Sequence, residues 1–154
     1  MKVLISDNLH EAGVAVLEAQ PNIEVINRPG MKPDELQEVI KDVDALVIRS
    51  ATKVTAELLN AAPRLKVVGR AGTGLDNVDI PEASKHGVVV MNTPGGNTIT
   101  TGEHALSLIM ALARNIPQAA QSMREAKWEK KKFQGTELFN KTLGIIGMGR
   151  IGQA

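Results

Sequence analysis

The chain has 154 residues, about the length of one domain, and its 43% hydrophobic and 23% charged residues are typical of a globular protein. Its 18 Lys and Arg nearly balance its 17 Asp and Glu, which excludes a nucleic-acid binder that depends on overall positive charge. The sequence contains no cysteine, which excludes disulfides, thiolate catalysis and thiolate metal sites and favours a reducing compartment.

Short apolar runs alternate with helical patterns along the first 91 residues. Five strands are predicted at 2–6, 23–26, 45–48, 66–69 and 88–91. The helices between them are predicted at 10–19, from Pro33 onward, at 55–61 and at 80–86. This alternation with short links predicts an α/β fold, a doubly wound parallel sheet covered by helices on both faces.

A segment rich in turn residues at 92–97 follows the fifth strand and predicts a domain boundary after Asn97. Thr100 and Glu103 then match a capping box, so we expect a helix to begin there and continue to about 113. This helix is apolar on nearly all sides, which predicts burial against more than one partner. Pro117 bends this helix or starts another, and a sixth strand is predicted at 142–146.

Neither a targeting segment nor a membrane span is expected. The first apolar run reaches Asp7 after only three apolar residues, which is too short for the core of a signal sequence. The longest apolar stretch, at 105–113, is about half of the roughly 20 residues that span a bilayer. We therefore expect a cytoplasmic protein that binds neither membranes nor nucleic acid.

Two loops at the carboxyl ends of predicted strands carry arginine: Arg49-Ser50-Ala51-Thr52 and Arg70-Ala71-Gly72-Thr73-Gly74. Open α/β sheets bind ligands at this edge, where a guanidinium suits a carboxylate or phosphate and glycines expose backbone N–H groups. A single arginine at a strand end is more often solvated or ion-paired. Two such loops, with Asn97 in a third, favour a small anionic ligand. The three histidines share no metal-ligand spacing, so no metal is expected.

The glycines Gly147, Gly149 and Gly152 follow the sixth predicted strand and match the dinucleotide-binding fingerprint. The first permits a tight turn, the second lets the backbone approach a pyrophosphate, and the third packs a helix against the strand. The alternative is a tight strand–helix turn without a ligand. The helix that would hold the phosphates and the acidic residue about 20 positions further on are both missing, so we expect weak or no binding.

Together these segments resemble the NAD-dependent D-isomer-specific 2-hydroxyacid dehydrogenases. The similarity is nearly continuous and most specific at 47–52, 68–79, 90–97, 128–133 and 147–152. The two arginine loops favour the branch that acts on a phosphorylated 2-hydroxy acid over lactate, glyoxylate and formate enzymes. Another D-2-hydroxyacid dehydrogenase and a non-catalytic anion-binding or dimerisation module remain the alternatives.

The resemblance implies a flavodoxin-like substrate-binding domain in residues 1–97. Residues 98–154 would be the opening helices and first strand of an NAD-binding Rossmann domain. It also implies NAD-dependent oxidation of 3-phospho-D-glycerate to 3-phosphohydroxypyruvate, the first step of serine biosynthesis. The helix from about 101 would form a homodimer or a higher homo-oligomer.

The resemblance also assigns roles by position. Substrate binding would fall to Arg49, Ser50, Arg70, Gly72, Gly74 and Asn97. Cofactor binding would fall to Thr73, Gly147, Gly149, Arg150, Ile151 and Gly152. The family's catalytic Arg, Glu and His are expected beyond position 154, so we expect this sequence to be a fragment that is inactive alone.

Overall fold

Five short strands form one parallel sheet in the computed structural model, which describes all 154 residues. They are β1 (Lys2–Ile5), β2 (Glu24–Asn27), β3 (Ala45–Ile48), β4 (Val67–Arg70) and β5 (Val89–Met91). Their order is β2-β1-β3-β4-β5, the flavodoxin-like order in which the direction of strand addition reverses between β1 and β3. The predicted α/β class and doubly wound parallel sheet are confirmed.

Four helices connect the strands: α1 (Glu11–Glu18), α2 (Pro33–Val39), α3 (Ala56–Asn60) and α4 (Ile80–Lys85), and a 3₁₀ turn, Ile40–Asp42, follows α2. Short polar side chains begin two of them. Thr55 accepts a hydrogen bond from the Leu58 amide at the start of α3, and Asp79 accepts one from the Glu82 amide at the start of α4. Gly87 ends α4 with a φ of +67°, a conformation that favours glycine.

The hydrophobic core lies around the three central strands. Leu4 of β1 pairs in register with Leu46 of β3, which in turn pairs with Val68 of β4. All three side chains are 0% exposed, because helices cover both faces of a parallel sheet. The loops at the carboxyl ends of β1, β3 and β4 therefore rest on the most tightly buried part of the chain.

The chain divides into two compact units, Met1–Gly96 and Asn97–Ala154. The second contains α5 (Thr98–Ala113), α6 (Ile116–Arg124) and α7 (Arg150–Gln153). The predicted capping box at Thr100 is wrong, since α5 begins two residues earlier and Asn97 is its N-cap, without a side-chain capping bond. Pro117 lies in the first turn of α6, so it starts a new helix.

The predicted strand at 142–146 is also wrong. These residues adopt no regular structure, because the second unit contains no strand that could pair with them. The predicted burial of α5 is not realised within this chain either, since none of its residues is buried. No helix is both long and apolar enough to cross a membrane.

Candidate functional site

A buried carboxylate organises the loop after β3. Asp7 follows β1, and because β1 and β3 are adjacent and parallel, their carboxyl ends bring it against residues 49–52. The carboxylate accepts hydrogen bonds from the backbone amides of Arg49 at 2.7 Å, Ala51 at 3.2 Å and Thr52 at 3.1 Å. The Thr52 hydroxyl donates to it as well, at 2.6 Å. One side chain thus holds most of an irregular loop.

These hydrogen bonds also decide the charge of Asp7. Its burial alone would raise the pKa of the carboxyl, because desolvation disfavours the charged form. The hydrogen bonds from Thr52, Arg49 and Ala51 act in the opposite direction and outweigh burial, so the pKa lies below its ordinary value. Asp7 is therefore a carboxylate at neutral pH, matched to the N–H and O–H groups around it.

Asn77 holds the same loop from its carbonyl side. Its Nδ2 donates to the carbonyl oxygen of Arg49 at 2.8 Å and to that of Thr52 at 2.6 Å. The Asn77 Oδ1 is buried without a partner, so the amide is oriented by the two hydrogen bonds that its nitrogen donates. Together with Asp7, this side chain leaves the loop between β3 and α3 with one well-defined backbone conformation.

The two arginines of the site have different surroundings. The Arg70 side chain is 10% exposed, and its Nη1 lies 3.1 Å from a carboxylate oxygen of Asp76 while its Nε donates to the Arg49 carbonyl oxygen at 3.1 Å. Arg49 and the adjacent Ser50 are exposed, and the Arg49 guanidinium has no carboxylate within 4.0 Å. Arg49 can thus meet an anion directly, whereas Arg70 supports the loop that carries it.

The glycines after β4 differ in the space around them. A Cβ on Gly74 would lie 2.7 Å from Arg70 Nη1 and 2.9 Å from Asp76 Oδ1, so a larger residue there would displace the ends of the ion-paired side chains. A Cβ on Gly72 would make only ordinary contacts, the nearest at 3.7 Å. Thr73 lies between them, and its carbonyl oxygen accepts a hydrogen bond from Asn92 at 2.7 Å. This bond fixes the loop after β4 to the end of β5.

The sheet edge therefore brings together Arg49, Ser50, Arg70, Gly72, Thr73 and Gly74, which belong to the first unit. Asn97 begins α5 in the second unit, and residues 147–152 also lie in that unit. In the described chain, no group of three or more His, Cys, Asp or Glu residues is arranged to hold a metal ion.

The three fingerprint glycines show three different constraints. Gly147 has a φ of +102°, which permits a turn that other residues rarely adopt. A Cβ on Gly152 would clash with the Gly147 carbonyl oxygen, whereas a Cβ on Gly149 would meet nothing within 4 Å. These are the constraints expected of a tight turn, a close packing contact and an open backbone that a phosphate can approach. The chain's residues therefore fit the phosphate part of a dinucleotide.

Asp7 and Asn77 are the residues of the site that sequence reasoning missed. Asp7 is 42 to 45 residues away from its partners in the chain, and Asn77 is 25 and 28 away from its own. The available signal was an acidic residue placed directly after a buried strand, at the edge where ligands bind. From the sequence alone, the side chain of such a residue can be either exposed or buried. Which of the two applies depends on which strand lies next to it in the sheet.

A family model for the D-isomer specific 2-hydroxyacid dehydrogenase catalytic domain matches residues 3–139. The human D-3-phosphoglycerate dehydrogenase is 51% identical over 152 residues, which are 99% of this chain and 28% of that protein. The crystal structure of the TT0316 protein of Thermus thermophilus is 32% identical in sequence and has a TM-score of 0.89. The match covers 99% of this chain and 50% of that protein's chain. The NAD⁺-bound 3-phosphoglycerate dehydrogenase of Entamoeba histolytica is 30% identical and has a TM-score of 0.77. The match covers 99% of this chain and 48% of that protein's chain.

These matches establish the class. The chain belongs to the D-isomer specific 2-hydroxyacid dehydrogenase family. Its relatives include D-3-phosphoglycerate dehydrogenases from Synechocystis and Methanocaldococcus jannaschii, and it spans 27% to 29% of their length. The resemblance expected from the sequence is thus confirmed.

Proposed function

We propose that the chain forms the substrate-binding lobe of an NAD-dependent D-3-phosphoglycerate dehydrogenase, together with the beginning of its NAD-binding domain. The whole protein would oxidise 3-phospho-D-glycerate to 3-phosphohydroxypyruvate, the first step of serine biosynthesis. Identities near 50% to proteins of that name over nearly the entire chain support this reaction. The observation that carries the site is the exposed, unpaired guanidinium of Arg49 on a loop fixed from both sides.

The proposed substrate carries two anionic groups, a carboxylate and a phosphate, and Arg49 can bind either through two parallel N–H bonds. Ser50 next to it offers a hydroxyl that can donate or accept. Arg70 adds positive charge close to the same loop while its hydrogen bond to the Arg49 carbonyl oxygen keeps the loop in place. The backbone of Gly72 and Gly74 would line the same edge. On the resemblance alone, we also assign Asn97 to the substrate.

The cofactor proposal is NAD. Bound NAD would supply the acceptor for the hydride that leaves the hydroxyl-bearing carbon of the substrate. The backbone of Gly147, Gly149, Arg150, Ile151 and Gly152 would hold the pyrophosphate, since the open space at Gly149 leaves room for a phosphate. We assign Thr73 to the nicotinamide end by resemblance, and the acid–base residues to a part of the protein outside this chain.

In this proposal, residues 1–97 form the substrate domain and residues 98–154 begin the NAD-binding domain. The apolar side chains that α5 leaves exposed, among them Leu106, Leu108 and Leu112, support a homodimer or a higher homo-oligomer built on this helix. Light scattering at micromolar concentration tests this, and a monomeric mass would contradict it.

The absence of cysteine supports a cytoplasmic location, which cell fractionation tests.

The reaction is tested by NADH formation in the complete protein with 3-phospho-D-glycerate, D-glycerate, D-lactate and formate as substrates. We expect kcat/KM to be highest for 3-phospho-D-glycerate. Replacing Arg49 by Ala should lower that value by roughly 10- to 100-fold, because a hydrogen-bonded charge contributes about 1.5–3 kcal/mol. Arg49→Lys should restore part of it, since lysine keeps the charge and loses the planar fork.

The 154-residue chain alone should produce no NADH with any of these substrates. Saturable turnover by the isolated chain would show that a catalytic group lies within it. A preference of the complete protein for an unphosphorylated substrate would overturn the substrate proposal while leaving the family unchanged. An Arg49→Ala variant with normal kinetics would overturn the role of Arg49.

A further inference from the structure

Asp7 lies at the point where the sheet reverses its direction of strand addition. The position follows β1, the neighbour of β3 in the order β2-β1-β3-β4-β5, and the residue is only 6% exposed. In open α/β sheets this switch point is where the loops diverge and a ligand binds. Here the carboxylate accepts hydrogen bonds from the backbone of the same chain, so its charge acts on the loop at residues 49–52.

The hydrogen bonds of this carboxylate are distributed over the whole loop. One oxygen accepts the amides of Arg49 and Ala51, the other accepts the Thr52 hydroxyl, and both lie 3.1 Å from the Thr52 amide. The Thr52 hydroxyl oxygen also lies 2.8 Å from Ser6 Oγ. Three backbone donors that converge on one acceptor define the backbone conformation on both sides of Ser50.

The carbonyl oxygens of the loop are held independently. Asn77 Nδ2 bridges those of Arg49 and Thr52, the two ends of the segment. Arg70 Nε adds a second hydrogen bond to the Arg49 carbonyl oxygen. Neither side chain is hydrogen-bonded to Asp7, so separate groups hold the amides and the carbonyl oxygens of the same four residues.

We propose that Asp7 is a positioning residue, whose carboxylate holds the backbone of residues 49–52 so that Arg49 and Ser50 occupy a fixed place when the anionic substrate binds. The inference rests on the proposed function for the identity of that substrate. Asn77 has the matching role on the carbonyl side. Neither residue touches the substrate in this proposal.

The physical reason is preorganisation. Ordering the backbone of one residue costs about 1–2 kcal/mol of conformational entropy. If the loop is already ordered in the free protein, this cost does not reduce the free energy of substrate binding. Residues 49–52 belong to no helix or strand, and their conformation depends on side chains elsewhere in the chain. Without Asp7, the three amides would lose their common acceptor and Arg49 would sample several positions.

Asp44 provides a matched control. It is also a buried aspartate, 7% exposed, and it precedes β3 at the opposite end of the strand. Its carboxylate accepts the Lys2 amide at 2.8 Å and Arg64 Nη2 at 3.1 Å. Its loss should therefore lower stability without altering residues 49–52, whereas loss of Asp7 should do both.

The experiment compares Asp7→Ala, Asp7→Asn, Asn77→Asp and Asp44→Ala in the complete protein. It measures kcat, the KM for 3-phospho-D-glycerate, the KM for NAD, the free energy of unfolding, and hydrogen exchange of the Arg49, Ala51 and Thr52 amides. We expect Asp7→Ala to raise the substrate KM by about 10- to 100-fold and to speed exchange of these amides, with little change in the KM for NAD. Asp44→Ala should leave the substrate KM and the exchange of these amides unchanged.

The two conservative variants refine the test. Asp7→Asn should recover much of the activity, because its Oδ1 can still accept the loop amides while its Nδ2 donates to the Thr52 hydroxyl oxygen. Asn77→Asp should raise the substrate KM, because it places a carboxylate against two carbonyl oxygens. If Asp7→Ala does not fold, Asn77→Asp decides the question: an unchanged substrate KM together with unchanged exchange of the Arg49, Ala51 and Thr52 amides would overturn the inference.

Two results would overturn the inference: equal effects of Asp7→Ala and Asp44→Ala on the substrate KM, or unchanged exchange of the loop amides in Asp7→Ala. The failure of the proposed function has a different signature. In that case the unmodified protein does not oxidise 3-phospho-D-glycerate, while the exchange measurements still show whether Asp7 fixes residues 49–52.

Discussion

The two units of the chain differ in what their apolar side chains contact. Every buried hydrophobic residue lies within Met1–Gly96, whereas Ser122 is the only buried residue of Asn97–Ala154. The second unit nevertheless contains the longest helix, α5, because a helix satisfies its backbone hydrogen bonds within itself. A strand needs a neighbour, which explains why 45–48 forms one in the first unit and 142–146 does not in the second.

The largest expected effect compares one leucine from each unit. Leu46→Ala removes a side chain that is 0% exposed in the central strand, and it should lower the free energy of unfolding by about 2–5 kcal/mol. Leu112→Ala in α5 removes a side chain that is 77% exposed within one chain, and at protein concentrations low enough for the chain to be monomeric it should change stability by about 0.5 kcal/mol or less. Urea unfolding of the isolated chain measures both values.

A cost at Leu112 as large as that at Leu46 would break this comparison. A cost that appears only at higher protein concentration would instead support the proposed homo-oligomer on α5. Repeating the unfolding at two concentrations tests that directly.

The second prediction concerns Gly135, a tightly packed glycine of the second unit. A Cβ on Gly135 would lie 2.5 Å from the Ala113 carbonyl oxygen and 2.8 Å from the Arg114 Cα, both backbone atoms that cannot move easily. Gly135→Ala should therefore cost about 1–3 kcal/mol and expose the Thr136 amide, which donates to the Ala113 oxygen at 2.7 Å.

Gly144→Ala is its control, because a Cβ there would meet nothing within 4 Å. Hydrogen exchange of the Thr136 amide separates the two variants. Equal exchange in both would show that the end of α5 is not held by residues 135–136.

The third prediction is an acid dependence that two aspartates of the first unit produce. Hydrogen bonds lower the pKa of Asp7 despite its burial, and the Lys2 amide and Arg64 lower that of Asp44. A carboxyl with a lowered folded-state pKa stabilises the protein above its unfolded pKa and loses this contribution as the pH falls through its folded pKa. The sheet should thus keep its stability from pH 7 to about 5 and lose it only below about 4.

Unfolding followed as a function of pH measures this dependence. Asp7→Asn should weaken it, since the amide does not titrate. A loss of stability already between pH 7 and 5 would contradict the prediction and would point to a different titrating group.

The same comparison explains which features the sequence could predict. The five strands were predictable because each aliphatic run has a helix before or after it and a parallel neighbour to pair with. The run at 142–146 is equally aliphatic, but whether it forms a strand depends on a neighbouring strand to pair with. No local sequence pattern shows whether such a neighbour exists. The start of α5 was placed at Thr100 because a capping box is a local pattern, whereas the helix begins after Asn97.

The candidate site shows the same contrast between features that neighbouring residues determine and features that depend on contacts between residues far apart in the chain. Arg49 and Arg70 each follow a predicted strand, so the sequence predicts both as anion ligands, but in the structure Arg70 is the last residue of β4 and pairs in register with Ile48. The partner of Arg70 is Asp76, six residues further on, and the pairing depends on how the intervening loop folds. Asp7 and Asn77 depend on contacts from 25 to 45 residues away, which only the order of the strands brings together.

The smallest expected effect concerns the two glycines of the loop after β4. Gly74→Ala would place a Cβ 2.7 Å from Arg70 Nη1, and because Asp76 is exposed, the ion pair can move apart at a cost of about 1 kcal/mol or less. Gly72→Ala meets nothing closer than 3.7 Å and should leave the pair intact. Gly74→Ala should therefore raise the substrate KM of the complete protein more than Gly72→Ala does, while both unfold at nearly the same urea concentration. Equal KM values in the two variants would show that the Arg70–Asp76 pair does not support the Arg49 loop. The hydrogen bond from Asn77 would then be sufficient to hold the Arg49 carbonyl oxygen in place.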